Sequence, residues 1–152
     1  MEIKPHKGID DIILGMSIED VVKLIGNPDE IIEDEDLDFP HHYNYEYEKH
    51  GLELCFAEDD EYKLGTITVM SKEHTLLSEK LIGLNEKDFL AKAKEIGLTD
   101  IYLSEELESL KARDYYSDSQ GLSFWLEDGI VTSIALFPDY EMVPHEQPIW
   151  PE

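Results

Sequence analysis

Four groups of side chains in this 152-residue chain are of types that do chemistry. His41 and His42, with Asp38 before them and His50 after, set imidazoles beside carboxylates, the makings of a metal-dependent hydrolase. Neighbouring residues of a strand point to opposite faces, however, so His41 and His42 do not normally chelate one ion together, and the plainer reading is a pair of loop histidines. The run Glu33-Asp34-Glu35-Asp36-Leu37-Asp38 concentrates carboxylates as a calcium loop does, without the glycine or the closing bidentate glutamate of an EF-hand. It reads as a solvated acidic loop, or as a patch that meets Lys or Arg of a partner. Cys55 attacks only as a thiolate, and Glu53 on the same strand face opposes that ionisation. Trp125 is the one large anchor on a strand face turned away from the expected core, with Tyr116 and Glu127 around it. Such a residue is either an interface hot spot or a ring packed beneath another part of the chain.

No Gly-x-Ser-x-Gly elbow, phosphate loop or His-Glu-x-x-His helix occurs. Carboxylates are so numerous that some pair must fall close by chance, so paired acids carry little weight as a catalytic signal. The sequence implies no cofactor.

The net charge decides more. With 36 acidic and 12 basic residues the chain carries −24, while its hydrophobic fraction of 41% is that of a globular protein. Nucleic acid and anionic membrane are disfavoured, because both are bound through Lys and Arg. A basic protein partner is favoured, with electrostatic steering of the encounter; solubility or salt adaptation is the alternative source of the charge. The single cysteine gives no disulfide framework. Met1 to Lys7 contains no apolar signal core, and no run approaches the roughly 18 apolar residues of a membrane span. The expected location is cytoplasmic, with a trimmed signal peptide or lipoprotein tether left open.

These residues need elements to hold them. Ser17 caps a helix with Ile18, Val21, Val22 and Ile25 on one face, stopped by Gly26-Asn27-Pro28. Asn85 caps a second, with Phe89, Ala93 and Ile96 buried and Gly97 as the stop. A further short helix is expected from Ser104 through Leu107 and Leu110, with a weaker, acidic counterpart from Ile31 to Leu37. Tyr43 to Lys49, Leu52 to Ala57 and Leu64 to Met70 read as strands, as do Gly121 to Glu127 and Ile130 to Phe137. At Glu127-Asp128-Gly129 a three-residue loop, setting Leu126 opposite Ile130, is preferred to a two-residue Asp-Gly turn. It places Leu122, Phe124, Leu126, Ile130, Ile134 and Leu136 on one core face, matched by Ile67 and Val69. The opposite face carries Tyr116, Ser123, Trp125, Val131, Ser133 and Ala135 in one half, and Glu46, Glu48, Glu53, Cys55, Thr66 and Thr68 in the other. Pro138 to Glu152 has four prolines and no periodicity, and reads as a tail whose Ile149-Trp150 could dock on the body.

Leu14-Gly15-Met16-Ser17 recurs as Ile82-Gly83-Leu84-Asn85, and Gly51-Leu52 as Gly121-Leu122, at a spacing of roughly 70 residues, too long for a solenoid. The expected fold is α+β: two tandem ααβββ-type repeats, residues 1–74 and 75–138, with an antiparallel sheet, helices on one of its faces, and a Pro-rich tail at 139–152. The phrase Leu14-Gly15-Met16-Ser17-x-x-Asp20-Val21-x-x-Leu24-x-Gly26-x-Pro28 resembles the opening helix motif of the beta-lactamase inhibitor protein superfamily and the related outer-membrane assembly lipoproteins. The resemblance implies a tandem α+β unit whose sheet face binds a protein. The leading expectation is a non-enzymatic, acidic inhibitor or immunity protein that blocks a basic partner, a nuclease toxin being one example of such a partner. Its binding residues are Trp125, Tyr116, Glu127, Glu46, Glu48, Glu53, Glu33, Asp34, Glu35 and Asp36. The alternatives are the His41/His42 hydrolase and an envelope scaffold protein.

Overall fold

Both helices start and stop where side chains supply what a helix end lacks. In the computed structural model, which describes residues 1–34, 40–141 and 147–151, α1 spans Ile18–Ile25 and α2 spans Glu86–Glu95. The Ser17 hydroxyl accepts from the Asp20 amide at 3.1 Å, and the Asn85 side-chain oxygen accepts from the Asp88 amide at 2.8 Å. Acidic residues occupy the first turn of each helix and lysines the last, complementing the helix dipole. Gly26 and Gly97 follow with φ of 87° and 96°, a conformation that costs glycine little.

Strands supply the rest. β1 (Glu2–Lys4), β2 (Gly8–Ile9) and β3 (Ile12–Ile13) precede α1. After it come β4 (Glu30–Asp34), β5 (His42–Tyr47), β6 (Leu52–Ala57), β7 (Leu64–Val69) and β8 (Thr75–Leu76). After α2 come β9 (Tyr102–Leu107), β10 (Ala112–Ser117), β11 (Leu122–Glu127) and β12 (Ile130–Leu136), then β13 (Asp139–Glu141) and β14 (Gln147–Ile149). The fold is α+β. An eight-stranded antiparallel sheet runs β4-β5-β6-β7-β12-β11-β10-β9, and a mixed sheet of four runs β3-β2-β1-β8. The parallel β1–β8 pairing joins residues 2–3 to 75–76.

Alternation builds the core. Leu52, Leu54, Phe56, Ile67, Val69, Leu122, Phe124, Leu126, Ile134 and Leu136 are all buried, in one cluster with Val21 of α1 and Phe89 and Ala93 of α2. Phe89 packs on Phe124 at 4.9 Å between ring centroids and on Tyr115 at 5.8 Å. Arg113, the sole arginine of the chain, fixes the start of α2 to β10: its Nη1 reaches both Glu86 carboxylate oxygens at 2.8 Å, and the Tyr115 hydroxyl donates to the same carboxylate. Ile3, Ile9, Ile12, Leu14 and Leu76 bring the small sheet into the same cluster.

The structure corrects the expected ααβββ plan: each helix is followed by four strands of the large sheet, and no second α-helix joins either set among the described residues, only single 3₁₀ turns such as Glu108–Leu110. The segment from Ser104 to Leu107 belongs to β9, and the acidic counterpart at Ile31 to Asp34 belongs to β4. Both are outermost strands of the large sheet. Their residues are almost all exposed on both faces, so no polar–apolar alternation marks a core side.

The turn at Asp128-Gly129 is also corrected. It has two residues, with φ of 50° and 76°, and pairs Glu127 with Ile130. A bulge then inserts one residue of β12 between the Leu126↔Val131 and Trp125↔Ser133 pairs, so Phe124 still meets Ile134 and Leu122 still meets Leu136. The expected register therefore holds away from the turn and fails beside it: Val131 is 1% exposed and Ile130 40%. In the tail, β13 and β14 pair antiparallel where no periodicity announces strands, and Trp150 packs against the core, as the docking alternative expects. The Trp150 ring lies where a side chain on Gly15 would be, 3.1 Å from that position.

Polar substitution at the two bulge-side positions separates the alternative turns. Val131→Asn should cost about 3 kcal/mol, from lost apolar burial and an unsatisfied amide. Ile130→Asn should stay within about 0.5 kcal/mol of the wild type. Urea unfolding followed by circular dichroism measures both, and the opposite order would restore the three-residue loop.

Candidate binding face

The side of the large sheet away from the helices is crossed by one continuous row of facing residues, one per strand. From β4 to β9 it reads Glu30, Glu46, Glu53, Thr68, Ala135, Ser123, Tyr116 and Tyr102. Three carboxylates stand at one end, three short side chains in the middle and two tyrosines at the other. The middle is therefore lower than its flanks by the length of a side chain.

Trp125 lies in the adjacent row with Glu105, Asp114 and Ser133. It is half-buried, and its indole N–H donates to Glu127 at 2.9 Å. Tyr116 is half-buried and sits 6.2 Å from Tyr102 and 6.4 Å from Phe137, ring centre to ring centre. β11 and β12 run in opposite directions, so Trp125, two residues past Ser123, and Phe137, two past Ala135, fall on opposite sides of the Tyr116 row.

The structure thus places Trp125, Tyr116, Glu127, Glu46 and Glu53 on one face. The other sequence-derived candidates go elsewhere. Glu48 leaves the sheet, because β5 ends at Tyr47; its amide donates to Asp29 at 2.7 Å and its side chain is exposed. Glu33 and Asp34 belong to the edge strand β4 and not to a loop. They lie beside the two histidines: Glu33 is 2.7 Å from His41 Nε2 and Asp34 is 3.8 Å from His42 Nε2. Glu35 and Asp36 lie outside the described residues. Val131, expected on this face, is in the core.

His41 also meets the Tyr62 hydroxyl through Nδ1 at 2.9 Å, so both of its ring nitrogens are engaged; His42 Nδ1 lies 3.1 Å from the Pro40 carbonyl. Among the described residues no three His, Cys, Asp or Glu side chains gather as metal ligands. No helix of the described residues is long and apolar enough to cross a membrane.

Burial gives this face its electrostatic character. It pushes the Glu53 carboxyl above the ordinary range, helped by the charge of Glu46. Burial does the same to Asp114, helped by Glu105 and opposed by the Ser123 hydroxyl, which donates at 2.6 Å. Burial raises the Cys55 thiol to about 11, with Glu53, Asp60 and Asp59 adding to it, so this sulfur stays protonated and unreactive. None of Glu30, Glu46, Glu53 or Asp114 takes part in a salt bridge among the described residues.

Sequence reasoning missed the ends of the Tyr116 region. Phe137 and Tyr102 extend its aromatic surface, and a cleft of about 410 Å³ opens beside them against His6, Asp118 and Asp139. The alternation of β12, continued one residue, points to Phe137. Nothing in the sequence brings His6 there, because that contact depends on the fold of residues distant in the chain. No known protein family, curated protein or solved structure matches the chain.

The two raised carboxyls make a pH test. The folded chain holds their protons more tightly than the unfolded chain, so their contribution to stability grows as pH falls through the carboxylate range and is least at neutrality. His74 works the other way: burial and the N-terminal charge lower it, so it favours the folded state less as pH falls below about 6.5. The double variant Glu53→Gln/Asp114→Asn leaves His74 in place. It should melt about 1–3 °C above the wild type at neutral pH, with the gap closing in acid. A gap that widens in acid would contradict the burial argument.

Proposed function

We propose that this chain is a non-enzymatic binding module whose open sheet face closes on a basic protein and blocks it, as an inhibitor or immunity protein does. The observation that carries this reading is the row from Glu30, Glu46 and Glu53 to Tyr116 and Tyr102, on the side away from the helices. Glu53 is partly desolvated, and none of the three carboxylates takes part in a salt bridge among the described residues, so a partner's lysine or arginine supplies a countercharge. The net charge of −24 supports rapid capture of such a partner, because like-signed fields over a broad surface steer an opposite charge towards it. Trp125, held by Glu127, is suited to be the apolar anchor.

The order of elements supports the resemblance to the beta-lactamase inhibitor superfamily in a modified form. We read the two halves as copies of one unit, a helix and a four-stranded meander, joined so that their strands run outward from a common seam. The first copy brings charge to the shared face, and the second brings aromatic rings.

The test is retention of basic proteins from native lysate on the immobilised chain, at low and moderate salt, with three surfaces compared. The wild type should retain a basic protein that salt releases. Glu46→Gln/Glu53→Gln should weaken retention and reduce its salt dependence. Trp125→Ala should cost about 2 kcal/mol or more in affinity for the retained protein. Retention of nothing at low salt, or equal retention by all three surfaces, would end this reading.

A further inference from the structure

The cleft beside Tyr116 has a composition that the rest of the face lacks. Tyr116 and Phe137 give it aromatic walls over the buried Leu122 and Pro138, while Asp118 and Asp139 bring two carboxylates; among the described residues no lysine or arginine lines it. Leu122 and Pro138 are buried, so this wall is held by the core, whereas Asp118 and Asp139 are exposed at the mouth. The Tyr102 hydroxyl reaches both Asp118 oxygens at 3.1 Å and orients that carboxylate, which keeps lone pairs to spare.

His6 fixes the wall. Its Nε2 lies 2.7 Å from the Ser119 carbonyl, an oxygen that can only accept, so Nε2 carries a proton and donates it. Nδ1 is buried without a partner, beside Gly121. A side chain on Gly121 would come within 2.8 Å of both the His6 ring and the Phe137 carbonyl, so a residue without Cβ is required for the ring to sit there.

We infer that this cleft receives an arginine side chain of a protein partner, a deepening that rests on the reading of the open face as a surface for a basic protein. A flat guanidinium stacks on aromatic rings, and its fork of N–H groups suits carboxylates. Its apolar stem suits the half-buried rings of Tyr116 and Phe137 that line the cleft. An ammonium is a hydrated point charge with no planar face to lay on Tyr116 or Phe137. The cleft lies on the side of the Tyr116 row opposite Trp125, so a partner engaging both is gripped at two places.

The probe is Nα-acetyl-arginine amide, titrated into the ¹⁵N-labelled chain, with the lysine and citrulline amides as comparisons. The arginine amide should shift the backbone amides of Ser117, Gly121 and Leu122 saturably and leave those of β5 and β6 unmoved. Citrulline, equal in shape and uncharged, should shift none of them. Asp139→Asn, a change at an exposed position, should weaken binding several-fold, and Asp118→Asn/Asp139→Asn about tenfold or more. Lysine amide binding as tightly as arginine amide would overturn the assignment, as would arginine shifts spread evenly over the acidic surface. If basic proteins are retained through Glu46 and Glu53 while the arginine amide leaves the cleft unmoved, the cleft assignment alone fails. If the amide seats in the cleft and no basic protein is retained, the open-face reading fails and the cleft stands as an arginine site.

Discussion

Everything about the large face depends on one antiparallel seam. β7 and β12 pair through Ile67↔Leu136, Thr68↔Ala135 and Val69↔Ile134. The four apolar members point into the core and are essentially inaccessible to solvent, while Thr68 and Ala135 look outward. Period-two geometry links these facts: a shift of one residue at the seam would bury Thr68 and expose Val69. It would also break the row that joins the carboxylates of β4, β5 and β6 to the tyrosines of β10 and β9. The core therefore sets the register, and the register composes the face.

What could be read from the sequence follows the same logic. Ser17 and Asn85 announced their helices because capping chemistry is local. Leu52, Leu54, Phe56, Leu122 and Phe124 announced their strands because one face meets the core and the other does not. β4 and β9 resist a sequence reading because neither face of these strands is buried, so nothing in their alternation separates them from an acidic helix. The Asp128-Gly129 turn was misread because matching the two copies fixes the register several residues away, and a bulge restores that register after a different turn. The small sheet was not legible, since it rests on contacts between residues 1–13 and 75–76. Of the open face, the central members Glu46, Glu53, Tyr116 and Trp125 are placed by alternation. Glu48 was lost where a short 3₁₀ turn ends the alternation, and His6, Asp118 and Asp139 were beyond any local pattern.

The acidic charge is not spread without order. Glu86 accepts hydrogen bonds from Arg113 and Tyr115 that hold it below the usual range, where it secures α2. Glu53 and Asp114 are half-buried on the open face, where burial makes their ionisation costly. One kind of carboxylate stabilises the fold; the other holds unfavourable electrostatic energy that an approaching cation can release.

The parallel pairing of β1 with β8 has a consequence for how the chain reaches this shape. Hairpins such as β5–β6 and β10–β11 close over a few residues and can form as soon as their strands exist. β1 has its parallel partner more than 70 residues away, and β7 meets β12 across a similar span. On a ribosome, the first strand waits for half of the chain to emerge before this ladder can form. Closing such long loops is slow and entropically expensive, and is repaid only when the core closes around them. Until then Ile3, Ile9 and Ile12 have no finished interior to enter, and the strong negative charge of the chain keeps unfinished copies apart.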